Sequence, residues 1–295
     1  MRLLKLLMEV STNSMKKFVI VANPYKDPEL KVTNEIVEYI RSKGGSAYSL
    51  LDRPDPDVSF EELDYGKITE DTDCIIVLGG DGTLIRVVRK TRKTNIPLIG
   101  VNLGTLGYLC ELDKDNMYQA IYQLMNGNYT MEKRMMIKGH RKGEEKGRTA
   151  LNDVVVHPTG VLAVLRLNVY VNGEFLATYD GDGVIISTPT GSTGYNLSAG
   201  GPIIEPGADI IALTPINAHN LNSKGIILRS EDIIEVELVS RRGSEADSAY
   251  VSCDGDRLTK LEVGDRFVVE RASHTINICK VNKQSFLETM RKKMR

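Results

Sequence analysis

The sequence predicts an α/β N-terminal domain, a parallel sheet with helices on both faces, followed by a β-rich C-terminal domain. Three observations carry this. Continuous apolar runs alternate with helix-period segments as far as Gly127. Beyond it, apolar and polar residues alternate with period two. And 295 residues amount to two domains at roughly 150 residues each. The expected organisation is an extension over 1–14, an α/β domain over 15–127, a β-rich domain over 128–272, and a C-terminal segment over 273–295.

Taking the elements in order, residues 17–22 (KFVIVA) form an apolar run stopped by Asn23-Pro24, the pattern of a buried strand. A helix follows, with Asp27 as N-cap, Pro28 at the first helical position and Gly44-Gly45 as the stop. Its apolar face is Leu30, Thr33, Ile36, Val37 and Ile40. The stretch 52–71 is rich in proline and acid and reads as loop. Residues 74–78 (CIIVL) are a second buried strand running into Gly79-Gly80-Asp81-Gly82-Thr83, and the helix after it carries Leu84, Val87 and Val88. Residues 96–101 are a third strand, and a helix over about 114–125 ends at Gly127. Strands alternating with helices imply a parallel sheet covered on both faces.

In the second half, 163–171 (AVLRLNVYV) alternates, meets Asn172-Gly173 and continues over 174–179, the signature of a hairpin with a two-residue turn. Further strands are expected at 183–187, 226–228, 233–238 and 266–269. No long helix is expected until a basic one over 283–295. The first ten residues are basic and apolar but too short to span a bilayer, and read as a frayed extension with Met15 a candidate start.

Composition narrows the function. With 38 Lys+Arg against 39 Asp+Glu, net charge −1, the chain lacks the basic surplus that nucleic-acid binding needs. It has no tryptophan and 26 glycines. Cys74, Cys110, Cys253 and Cys279 form no metal-ligand pair and read as reduced cysteines of a cytoplasmic protein. There is no P-loop motif, no G-x-G-x-x-G after the first strand, no G-x-S-x-G and no H-E-x-x-H. His140, His157, His219 and His274 are not expected to be catalytic, with His219, in the 215–221 loop, the nearest to an exception.

The chemistry concentrates in glycine-rich turns. Gly79–Thr83 lies between a strand and a helix, where bare backbone and free N–H groups suit a phosphate. Asp81 in its middle would repel an anion, so it reads as a group that accepts a proton or hydrogen bond from a hydroxyl, or binds Mg²⁺. The alternative is a plain turn with Asp81 capping the helix. Asn102-Leu103-Gly104-Thr105-Leu106-Gly107-Tyr108 is a second such turn. Asn152-Asp153 is a polar pair suited to a ribose or amide, or to a turn. The long segment 180–202 crowds hydroxyls and glycines around Tyr195, as recognition of a sugar-like ligand would require.

Together G-G-D-G-T, N-L-G-T-L-G-Y-L, L-N-D-V-V, D-G-D-G-V-I-I-S-T-P-T-G-S-T-G-Y-N-L-S-A-G-G-P-I-I and a late D-G resemble the NAD kinases, in order from about Phe18 to Gly255. The resemblance implies an enzyme that transfers the γ-phosphate of ATP to the 2′-hydroxyl of the adenosine ribose of NAD, forming NADP. It implies Mg²⁺ or another divalent cation with ATP, a homodimer or homotetramer, a nucleotide-binding α/β domain and an NAD-binding β-rich domain, and a last segment, 273–295, that returns to the first domain; from charge and hydropathy no nucleic-acid or membrane partner is expected. By match, Asp81 is the base, Gly80 and Gly82 allow close approach of the phosphates, and Thr83 is a cofactor-binding residue. Asn152 and Asp153 bind the ribose and nicotinamide side. Thr190, Thr193, Gly194 and Tyr195 contact the adenine side. Asp182 meets the nicotinamide end across a subunit interface, and Asp254 lies near the transferred group. Three features depart from the family: Gly194 stands where alanine is usual, Pro215-Ile216-Asn217-Ala218-His219 replaces P-x-C-P-H, and 1–14 has no counterpart. G-G-D-G-T alone is shared in close form by lipid kinases and phosphofructokinases. Another small-molecule or lipid kinase and a non-catalytic dinucleotide sensor are the alternative readings.

Overall fold

The computed structural model describes residues 8–11 (backbone), 13–52, 65–91, 94–104, 107–110, 112–160, 164–219, 224–240, 248–281 and 285–293. Thr105 and Leu106 of the second glycine turn, most of the 52–71 loop, Ala163, Asn220, Leu221 and Lys283 lie outside them. The chain forms two compact units, Met1–Lys133 with Ile276–Arg295, and Arg134–Thr275.

The first unit is built on parallel strands in the spatial order Ser46–Leu51, Lys17–Ala22, Cys74–Gly79, Leu98–Asn102, with Ile278 pairing onto Leu98 at the far side. Every residue of Cys74–Gly79 and Leu98–Asn102 is buried, as strands covered on both faces require. The Ser46–Leu51 strand escapes an apolar-run search because it is the edge, and only Ala47 is buried in it. Helices Lys31–Ser42, Asp81–Thr91 and Met117–Met125 cover the sheet. Phe18 and Phe267 are the largest fully buried side chains, and Ile and Leu make up the rest of that set.

The first helix departs from the expected start. Glu29 and Leu30 adopt φ of 61° and 55°, so the Pro28–Leu30 turn is separated from the α-helix that begins at Lys31. Asp27 still serves as a cap, one element later. Its Oδ1 accepts the Val32 N–H at 3.0 Å, and its Oδ2 accepts the Thr33 N–H at 2.8 Å and the Thr33 hydroxyl at 2.6 Å. Val32 joins Thr33, Ile36, Val37 and Ile40 on the buried face, while Leu30 is only partly covered. The frayed extension expected at the N-terminus is corrected at Met8–Ser11, whose backbone pairs antiparallel with Tyr129–Glu132.

The second unit is antiparallel. One sheet runs Glu174–Gly181, Leu165–Val171, Ile234–Val239 and then the strand that starts at Arg266. The other runs Ile226–Arg229, Ile210–Ile216, Gly183–Ser187, Asp153–Pro158, Ser248–Cys253 and Asp256–Glu262. Val154, Val156, Val184 and Ile186 of the second sheet share one core with Leu167, Val169, Val236 and Phe267 of the first. The Asn172-Gly173 turn has φ of 51° and 82°, the left-handed pair that a two-residue hairpin needs. All four cysteines are buried.

Replacing Asp27, which is 2% exposed, by alanine removes three hydrogen bonds from the first helix. We expect a loss of about 1–3 kcal/mol in urea unfolding followed by far-UV circular dichroism. A midpoint equal to that of the parent protein would show that the cap is not holding the helix.

Candidate active site

In the first unit three loops leave the carboxyl ends of adjacent strands. Gly79 lies opposite Asn102 in the sheet, and Ala22 opposite Leu78. The Gly79 N-terminal of the helix is required by packing, since a Cβ there would fall 2.4 Å from the Thr83 hydroxyl. Asn23 Nδ2 donates to that same hydroxyl at 3.3 Å, tying the first loop to the helix start. Asn102, 4% exposed, shapes the third loop: its Oδ1 accepts the Gly104 N–H at 3.1 Å and its Nδ2 donates to the Gly104 carbonyl at 2.9 Å.

Asp81 opens the helix with its carboxylate turned toward the third loop. Oδ2 accepts the Tyr108 N–H at 2.7 Å, and Oδ1 accepts those of Leu109 and Cys110 at 3.1 Å each. Gly107 makes this possible, because a Cβ on it would lie 1.8 Å from Asp81 Oδ1. The two glycine turns seen separately in the sequence are therefore one structure joined by a carboxylate. Gly80 and Gly82 keep the other side of the turn bare, where among the described residues their built Cβ atoms meet only Lys26 Nζ, Asn102 Oδ1 and Arg86 Nη1. Arg86 donates to Asp52 Oδ2 through Nε at 2.9 Å and Nη2 at 2.6 Å. Neither Lys26 nor the Asp52–Arg86 pair was singled out by sequence reasoning. The Asn23-Pro24 stop after a buried strand was the one available signal for Lys26.

In the second unit, Asp254 and Gly255 form the turn between Ser248–Cys253 and Asp256–Glu262, with φ of 49° and 81°. The Asp254 carboxylate accepts three more backbone N–H groups, those of Leu151 at 2.8 Å, Asn152 at 2.8 Å and Asp153 at 3.3 Å. It thus anchors the Asn152-Asp153 pair. The amide oxygen of Asn152 is buried without a hydrogen-bond partner in the described structure. Burial, and then the Asp254 charge, push the Asp153 carboxyl up to about 7.

The hydroxyl-rich segment divides in two. Ser187, Thr188 and Ser192 are fully buried and spent on the fold. The Thr188 hydroxyl donates to the Leu151 carbonyl at 2.5 Å and accepts the Gly191 N–H at 3.1 Å. The Ser192 hydroxyl donates to Pro189 O and accepts the Ile204 N–H. Gly191 presses on Asn152, whose carbonyl oxygen would lie 2.1 Å from a Cβ. Thr190, 5% exposed, accepts from buried Arg134 at 3.3 Å. Thr193 and Gly194 are half-buried, and Tyr195 is 47% exposed. Gly194 has φ of −94°, so no left-handed backbone demands glycine there. A Cβ at 194 would lie 3.3 Å from Gly191 O and 3.4 Å from Asn152 Nδ2. Asp182 accepts from Asn217 Nδ2 at 2.8 Å, and the exposed His219 donates its backbone N–H to Asp180.

Folded Asp153 keeps its proton up to near neutrality, whereas unfolded it would lose it near 3.8. The stability this group contributes is complete below about pH 4 and is lost as pH rises through 7. Asp153→Asn should therefore match the parent protein near pH 4 and exceed it at pH 8 by on the order of a few kcal/mol in urea unfolding. A difference independent of pH would contradict the buried-acid assignment.

The profile of the ATP-NAD kinase N-terminal domain matches residues 18–129, and that of the ATP-NAD kinase C-terminal domain matches 151–281. The chain is 54% identical over 280 residues to the NAD kinase of Agathobacter rectalis, covering 95% of this chain and 99% of that one. It is 40% identical to the NAD kinase of Lachnospira eligens, covering 95% and 100%. Its fold is similar to that of yeast NADH kinase complexed with NADH (TM-score 0.82, 23% identity, 95% and 88% covered). It is also similar to an NAD kinase from Archaeoglobus fulgidus in complex with ATP (TM-score 0.74, 23% identity, 94% and 98% covered). By sequence over nearly its whole length, the chain belongs to the ATP-NAD kinase family.

Proposed function

We propose that this chain is an NAD kinase, transferring the γ-phosphate of ATP to the 2′-hydroxyl of the adenosine ribose of NAD to give ADP and NADP. The observation that carries the reading is the G-G-D-G-T turn with its carboxylate fixed by three amides, in a chain 54% identical to a named NAD kinase.

A ribose hydroxyl is a weak nucleophile at neutral pH, and phosphoryl transfer depends mainly on positioning and charge. Asp81 supplies the acceptor for its proton. Oδ2 carries one N–H and Oδ1 carries two, so a lone pair on Oδ2 is available to the hydroxyl. As the bond from O2′ to the γ-phosphorus forms, the proton passes to Asp81 and the bond from that phosphorus to the β,γ-bridging oxygen breaks, releasing ADP. Gly80 and Gly82 supply bare backbone for the phosphates, and Thr83 lies in the first turn of the Asp81–Thr91 helix, whose positive end faces them.

Asn152 and Asp153 take the ribose and nicotinamide side. Buried Asn152 Oδ1 is suited to a ligand donor, and a protonated Asp153 carboxyl can donate. Asp254 acts by holding that pair through its three amide bonds. Thr190, Thr193, Gly194 and Tyr195 take the adenine side, with the exposed Tyr195 ring available for stacking. Among the described residues no three His, Cys, Asp or Glu side chains form a metal cage. A divalent cation such as Mg²⁺ therefore fits as the counter-ion that ATP carries on its phosphates. The family resemblance assigns Asp182 to a neighbouring subunit's ligand, which makes the protein a homo-oligomer. Among the described residues no helix is long and apolar enough to cross a membrane. A cytoplasmic setting, where both substrates are found, completes the reading.

NADP formation from ATP and NAD is the direct test. Asp81→Asn should reduce kcat by roughly 10²–10⁴-fold with NAD binding largely retained. A variant keeping more than about a tenth of the parent kcat would rule out the base role. Gly107→Ala, which displaces the same carboxylate, should fail in the same way while keeping its fold by circular dichroism.

A further inference from the structure

Lys26 belongs to the loop that follows the Lys17–Ala22 strand. A Cβ built on Gly80 falls 2.7 Å from its Nζ, and one on Gly104 falls 3.8 Å from it. The ammonium therefore occupies space that the missing side chain of Gly80 leaves open, within contact distance of a Cβ built on Gly104. The loop beneath it is ordered. The Asn23 carbonyl accepts the N–H groups of Lys26 and Asp27 at 3.0 Å each, and Asn23 Oδ1 accepts that of Tyr25 at 3.0 Å.

Topology gives this position meaning. Strand order reverses between Lys17–Ala22 and Cys74–Gly79, because the second strand in sequence lies on one side of the first and the third on the other. Open α/β sheets bind ligands in the crevice outside the carboxyl ends of the strands at such a reversal. Lys26 comes from one lip of that crevice and Gly80 from the other.

Charge decides the ligand. The Asp81 carboxylate is turned to the N–H groups of Tyr108, Leu109 and Cys110, and Arg86 is engaged by Asp52. Among the described residues Lys26 has no carboxylate within ion-pair distance. With the positive end of the Asp81–Thr91 helix beside it, the uncompensated charge over the two glycines, among the described residues, is positive. A compact ammonium above bare backbone suits phosphate oxygens.

We infer that Lys26 binds the triphosphate of the nucleotide donor, its ammonium taking phosphate oxygens over Gly80 and Gly104. The assignment to the donor rests on the kinase reading above: the phosphate to be transferred must lie beside the carboxylate that receives the acceptor's proton, and the glycines under Lys26 adjoin it.

Two measurements test this and separate it from the kinase reading. In steady-state kinetics, Lys26→Ala and Lys26→Met should raise the KM for ATP by about 10–100-fold, the loss of one charge-assisted hydrogen bond. The KM for NAD should stay within about twofold, and Lys26→Arg should recover most of the loss. An unchanged KM for ATP, or a change confined to NAD, overturns the proposal. Absence of NADP formation by the parent protein overturns the kinase reading instead. The second measurement then still applies: inorganic triphosphate, with and without magnesium, should raise the melting temperature of the parent protein and leave that of Lys26→Ala nearly unmoved. Equal shifts in both proteins, or none in the parent, overturn the phosphate role of Lys26.

Discussion

The bond set that the first unit's site depends on is the grip of one carboxylate on three successive peptide N–H groups. Asp81 holds Tyr108, Leu109 and Cys110 at 2.7–3.1 Å. A turn at the end of a buried strand has backbone donors with no strand partner, and such donors must be satisfied. Here the acceptor comes from the first residue of the neighbouring helix. The consequences extend outward: position 107 must lack a side chain, the first glycine turn is tied to residues 107–110, and the negative charge faces those residues instead of the bare backbone at Gly80 and Gly82. A carboxylate inside an anion-binding loop looks contradictory only while its partners are unknown.

The second unit repeats the device with another carboxylate. Asp254 gathers the N–H groups of Leu151, Asn152 and Asp153, and its own N–H donates to the Asp153 carbonyl. Fixing this segment carries an energetic cost. Asp153 is 6% exposed, and the Asp254 charge adds to the burial that raises its carboxyl to about 7. Among the described residues the buried amide oxygen of Asn152 has no hydrogen-bond partner. Unmet hydrogen-bonding capacity and a displaced acid in adjacent residues are the features on which this pair is proposed as a ligand site, since such sites are organised for a ligand rather than for stability.

How far these features could be read from the sequence follows from the range of the interaction involved. Buried parallel strands and the Asn172-Gly173 hairpin depend on near neighbours in sequence, and their patterns were legible. Ser46–Leu51 was not, because an edge strand buries only Ala47 and has no apolar run to show. Asp27 was legible as a cap but not in its register, since the left-handed Glu29 and Leu30 move the helix start by three residues. In the 180–202 segment hydroxyl density was visible but its direction was not. Ser187, Thr188 and Ser192 point inward to carbonyls and amides that the chain brings from 151–152, 189 and 204. Lys26 lies 54 residues before Gly80 and carries no motif of its own, so only the strand order brings the two together.

The charge balance takes on a specific meaning in this light. A net charge of −1 argues against binding a polymer of phosphates, yet a kinase must still hold a highly charged nucleotide. Surplus charge is unnecessary when the charges present are sorted. Around the first glycine turn, among the described residues, two carboxylates that would oppose a phosphate already have donors: Asp81 has three amides, and Asp52 has the Arg86 guanidinium. Among the described residues a helix N-terminus, two glycines and one lysine remain there. Each polar group of the fold that is satisfied internally leaves a smaller, better defined set to act on the substrate. That is also why a single ammonium placed at the strand-order reversal can matter more than the total count of basic residues.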